Sequence, residues 1–164
     1  MKEVASEVAG RLRPKITHTT HSPYPWLFVP ADEVDLALVR DRWFKVVGGF
    51  RPTSSRMLNM IKDKKNLESV AAVTGKSFKA DPKANVVEAF FIVWTEKAGT
   101  LPHPFPSQHL VIIALEDLGQ HNGLPMVEGG GTLTCGRNIV LSGDEDMRFN
   151  AKGGGLAFFI VLKL

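Results

Sequence analysis

The sequence predicts an α+β domain spanning residues 1–164, with a helical, basic N-terminal half (1–84) packed on or beside an antiparallel β-sandwich or jelly-roll-like half (85–164). Three observations predict that division. Residues 1–82 carry 14 Lys and Arg against 9 Asp and Glu, whereas residues 83–164 carry 6 against 8. Glycine is skewed the other way, with 4 in the first stretch and 11 in the second, and the clusters Gly129, Gly130, Gly131 and Gly153, Gly154, Gly155 mark turns. From Asn85 onward, apolar blocks of strand length follow one another with no helix-length segment between them, which disfavours parallel crossovers.

Val4, Val8 and Leu12 recur every four residues with charges between them, predicting a short amphipathic helix stopped by Pro14. The stretch from Ser22 to Pro30 holds three prolines and three aromatics, so it runs extended, as an arm or a strand lead-in. Asp32 and Glu33 suit a first helical turn and Arg40 and Arg42 a last one. This predicts a helix over about 31–42 with Val34, Leu38 and Val39 on its apolar face. Residues 43–50 are aromatic and β-branched and are broken by Gly48 and Gly49, predicting a strand and a turn. Ser54 can cap a further helix with Met57, Leu58 and Ile61 on one face, continuing to a C-cap at Gly75. Strands are predicted at 86–94, 109–115, 138–141, 147–150 and 156–164, the first and last being apolar on both faces and therefore interior.

Composition narrows the class of protein. With 164 residues, 44% of them hydrophobic, the chain can bury roughly two-thirds of its extended surface and needs no staple. The one cysteine, Cys135, cannot form an internal disulfide, no apolar run reaches membrane-span length, and residues 1–10 lack the apolar middle of a signal peptide. The expectation is a protein of the cytoplasm, or of a particle assembled there, with no membrane partner and no export by a signal peptide.

The motifs that would carry chemistry are incomplete. His18 and His21 lie between Pro14 and Pro23, so no helix aligns them, and on a strand they would point to opposite faces. His18 and Thr20 match one half of the paired His-x-Thr/Ser signature of two-histidine phosphoesterases, but no other histidine supplies the second half. Thr74, Gly75, Lys76 and Ser77 resemble the end of a phosphate-binding loop, yet Val70 stands where its first glycine belongs. Cys135 has no activating neighbour in sequence, and the acidic run Asp144, Glu145, Asp146 fits a hairpin turn better than a cation loop. No catalytic residue, metal ligand or cofactor is assigned.

The remaining signals concern partners. Residues 40–79 hold ten Lys and Arg against three acids, and Arg56, Lys62, Lys64 and Lys65 are the candidates for contact with nucleic acid or an acidic protein. Two Pro-aromatic stretches, 23–30 and 101–106, offer stiff backbone and apolar area, making Tyr24, Trp26, Phe28 and Phe105 candidate interface residues. The leading expectation is a non-enzymatic structural or interaction protein that forms a homo-oligomer or joins a larger particle, such as a phage or virus component. A nucleic-acid-binding module using 40–79 is the first alternative. A hydrolase or metal enzyme using His18, His21, His103 or His109 is the second.

Overall fold

The computed structural model describes residues 1–17, 22–46, 85–126 and 131–163. The basic candidates Arg56, Lys62, Lys64 and Lys65, the helix expected over 54–75, and His18 and His21 lie outside the described residues. What is described is an α+β arrangement of two helices and an antiparallel sheet.

Helix α1 (Lys2–Leu12) forms where the four-residue spacing predicts it, burying Ala5, Val8, Ala9 and Leu12, and Pro14 sits in the 3-10 turn Arg13–Lys15 that follows. The arm delivers strand β1 (Trp26–Val29). Helix α2 (Glu33–Val46) is capped by Asp32, whose Oδ1 accepts the Asp35 N–H at 2.8 Å. Two expectations are corrected here. The predicted strand over 43–50 is helical through Val46, because Asp35, Val39 and Trp43, spaced four apart, form one buried helical stripe. Val34, expected on the apolar face, is 69% exposed, and the buried Asp35 takes the place assigned to it. Residues 47–50 are outside the described set.

The later strands are β2 (Val86–Trp94), β3 (Gly99–Leu101), β4 (His109–Ala114), β5 (Asn138–Ser142), β6 (Met147–Phe149) and β7 (Leu156–Leu162). β3, a three-residue strand carrying Gly99, lacks the apolar run that marks the others. Strand order in the larger sheet is β1-β2-β7-β4-β5, every pair antiparallel, while β3 and β6 form a separate ribbon. The two blocks expected to be interior are interior: β7 is the middle strand, buried along its whole length, and β2 lies beside it.

Alternation along β2 and β7 divides the core. Phe91, Val93, Phe158 and Ile160 face α1 and α2, packing with Leu12, Val39 and Trp43. Ile92, Trp94, Phe159 and Val161 face the ribbon and its loops, packing with Met147, Phe149, Leu118 and Leu133. The chain changes sheet repeatedly: β2 lies in the large sheet, β3 in the ribbon, β4 and β5 in the large sheet, β6 in the ribbon and β7 in the large sheet again. An isolated bridge between Met126 and Arg148 adds a third segment to the ribbon side.

Two charged contacts fix the helical layer. Arg11 Nη2 lies 2.8 Å from Asp35 Oδ1, joining α1 to α2. Arg13 holds Glu116 and donates to the Gly154 carbonyl, while Glu116 Oε1 also accepts the Leu156 N–H at 2.9 Å. Gly136, with φ of +80°, is required where this layer meets the sheet, since a Cβ there would stand 2.5 Å from the Lys2 nitrogen. No helix among the described residues is long and apolar enough to cross a membrane.

Candidate functional site

The four aromatics singled out from sequence divide into two pairs. Trp26 is half-buried on the ribbon face of β1, with ring centroids 6.1 Å from Trp94, 5.5 Å from Phe159, 6.1 Å from Phe149 and 6.4 Å from Phe105, the last nearly parallel. Trp26 and Phe105 therefore belong to the protein's own packing. Phe28, two residues further along the same face, touches Phe90 at 4.9 Å and is 66% exposed. Tyr24 is 68% exposed, although its backbone is tied: its N–H donates to Ser22 Oγ at 3.1 Å, and its carbonyl accepts from Thr95 Oγ1. The next carbonyl, Pro25, accepts the Thr95 N–H at 3.0 Å. The two exposed rings thus stand on an anchored segment, which lowers the ordering cost of docking them.

Phe105 is held against Trp26 by a clamped loop. His103 and Ser107 adopt left-handed φ of 42° and 59°, a strained conformation for residues with a Cβ. Asp144 restrains both, its carbonyl engaging His103 Nδ1 and its Oδ1 accepting the Ser107 N–H at 2.8 Å. Gly143 lies beneath, where a Cβ would stand 2.0 Å from the Phe105 carbonyl oxygen.

Beside this loop is an open cleft of about 830 Å³, lined by His103, Met126, Ser142, Glu145, Asp146 and Arg148 among others. A carbonyl only accepts, so the Asp144 contact places the His103 proton on Nδ1. Ser142 Oγ accepts the Asp144 N–H at 3.3 Å, a contact that belongs to the β5–β6 turn. Of the other described histidines, His109 begins β4 and His121 lies in the turn after Leu118. Among the described residues no group of three His, Cys, Asp or Glu could hold a metal ion.

Cys135 is half-buried, with Sγ donating to the Leu115 carbonyl at 3.1 Å and its N–H bound to Asp117 Oδ1 at 2.8 Å. Burial, and then the Asp117 charge, push its thiol above the ordinary value, with Lys2 opposing. A raised thiol pKa means that the fold binds this proton more tightly than the unfolded chain does. The stabilisation it gives is present below the ordinary thiol pKa and fades as pH rises through the folded value. Alkylation by iodoacetamide at pH 8 is expected to run slower in the native protein than in the denatured chain, with the native rate rising only at more alkaline pH. Equal rates at pH 8 would contradict this.

A scan against protein-family models found no match, and a search for similar curated proteins found none. No relative supplies a role for any residue, so the surface itself carries the argument. Its sequence-legible part was the Pro-aromatic arm. What sequence reasoning missed was Phe90 as the neighbour of Phe28, together with the exposed Val87. Val87 lies at the irregular start of β2, where the register shifts between Val86 and Glu88, and Phe90 follows it in regular pairing with Phe159. No local pattern marks that position.

Proposed function

We propose that this protein is a non-enzymatic structural protein that works by association, as a homo-oligomer or as a subunit of a larger particle. The observation that carries the reading is the β1 edge. Tyr24 and Phe28 are each about two-thirds exposed on an anchored arm, beside a strand that has β2 on one side and no strand on the other among the described residues. Exposed apolar side chains grouped along an edge that no described strand pairs offer the contacts another chain would cover, which supports the reading.

The core supports the same reading. Repeated exchange of strands between two sheets is the pattern of a jelly roll, and we read the second half as jelly-roll-like, with the β3–β6 ribbon as its smaller sheet. Its interior is filled by Trp26, Trp94, Phe149 and Phe159, with centroid separations of 5.4–6.1 Å. Small barrels filled by side chains act through their edges and loops rather than through an internal cavity.

The test is absolute mass by light scattering over a range of concentrations at two salt strengths, with the ultraviolet absorbance ratio read on the same peak. Mass rising above 18.0 kDa with concentration, and persisting at high salt, supports the proposal. A strictly monomeric chain overturns it. Nucleic acid that elutes with the protein only at low salt would replace it with the reading based on residues 40–79.

A further inference from the structure

We propose that the partner of the β1 edge is a second copy of the same chain, paired antiparallel about a two-fold axis through Leu27. The inference rests on the association reading above and adds to it an occupant, a register and a limit.

The register follows from the backbone. Trp26 pairs with Trp94, and the Pro25 carbonyl accepts the Thr95 N–H, so Pro25, Leu27 and Val29 direct their main-chain groups toward β2. Trp94 agrees, since its own N–H and carbonyl bond Gly155 and Gly154 on the other side. The main-chain groups of Trp26 and Phe28 therefore point to the edge that no described strand pairs. An antiparallel copy satisfies all of them when Trp26 stands opposite Phe28 of the other chain. Residues directly opposite share a face, which the pairing of 26 with 28 respects and any one-residue slip violates. On the ribbon face each exposed Phe28 then lies beside the other copy's Trp26. On the helix face the two Leu27 side chains meet across the axis.

Charge favours this orientation. Residues 22–31 carry no charge, so nothing repels a copy along the strand itself. Asp32 and Glu33 follow directly, and parallel pairing would set them against their own copies. Antiparallel pairing separates the two Asp32 residues by ten positions, about 33 Å at strand rise, which is beyond the Debye length of about 8 Å at physiological salt.

Proline sets the limit. Pro30 ends the four-residue strand, stands opposite Tyr24 of the other copy in this register and has no N–H to donate, so the ladder cannot lengthen at either end. Four exposed aromatic rings from two copies contribute roughly 400–600 Å². That falls short of the ~1,000 Å² of a stable interface, so the dimer is reversible, with dissociation in the micromolar range or weaker.

Leu27→Cys tests the register. Directly opposite residues in a non-hydrogen-bonded antiparallel pair have Cα atoms about 4.5 Å apart, within disulfide reach. Mild oxidation of folded Leu27→Cys should give a covalent dimer at twice the 18.0 kDa chain mass, while wild type, with Cys135 alone, and Val34→Cys should not. Phe28→Lys, at an exposed position that leaves the fold intact, should weaken dimerisation at least tenfold. Association without the Leu27→Cys cross-link, or growth beyond two copies, would overturn the paired edge and leave the association reading standing. A monomer at all concentrations would overturn both.

Discussion

Replacing Arg11 with methionine is expected to destabilise the protein by about 2–4 kcal/mol and to lower its melting temperature by roughly 5–15 °C. The cause is the carboxylate left behind. Asp35 is 3% exposed in the stripe of α2 that faces α1, and among the described residues Arg11, with Nη2 at 2.8 Å, is its ion-pair partner. A buried charge stripped of its partner costs more than the intact pair contributes, because desolvation is no longer offset. Glu7, 3.6 Å from the same guanidinium and largely exposed, cannot substitute, and its own pair with Arg11 adds little. The double variant Arg11→Met with Asp35→Leu should recover most of the loss, since apolar residues can fill that contact between the helices. Thermal melting of the two variants decides the matter. An Arg11→Met protein that melts within about 2 °C of wild type would show that water reaches Asp35 and relieves it.

Asp35 also shows what a sequence withholds. The N-cap at Asp32 was legible because it depends on neighbours three residues away, and five of the six later strands, all but β3, were legible because alternation and turn residues are local signals. A buried acid looks like any surface acid until the opposing helix is in place. Trp43 was misread for a related reason. Its aromatic and β-branched neighbours favour a strand, but its spacing from Val39 and Asp35 completes a helical stripe that buries it. In the candidate site, the arm was visible through its prolines, yet Trp26 and Phe28 could not be told apart. They share a face, and their fates differ because Phe105, Phe149 and Phe159 converge on one while, among the described rings, only Phe90 reaches the other. That difference is made by chain closure over long separations, which leaves no trace in local pattern.

Phe159 joins the core to the edge and supports the second large prediction. It is fully buried on the middle strand, with ring centroids 5.5 Å from Trp26, 5.6 Å from Phe90 and 5.4 Å from Trp94. Phe159→Ala should cost about 3–5 kcal/mol, from lost burial and the cavity left between the sheet and the ribbon. Phe158→Ala removes an equally buried ring from the same strand but from the helix face, where it packs against Phe91 at 4.6 Å. The two variants should therefore melt at similarly reduced temperatures. Association should separate them. Trp26 and Phe90, which support β1 and Phe28, lean directly on Phe159 and not on Phe158, so a void at 159 lets the edge shift and weakens dimerisation. At a temperature where both variants are folded, light scattering should find less dimer for Phe159→Ala than for Phe158→Ala at matched concentration. Equal association would mean that the edge is held by β2 backbone pairing alone, and the aromatic cluster would then be a matter of stability and not of function.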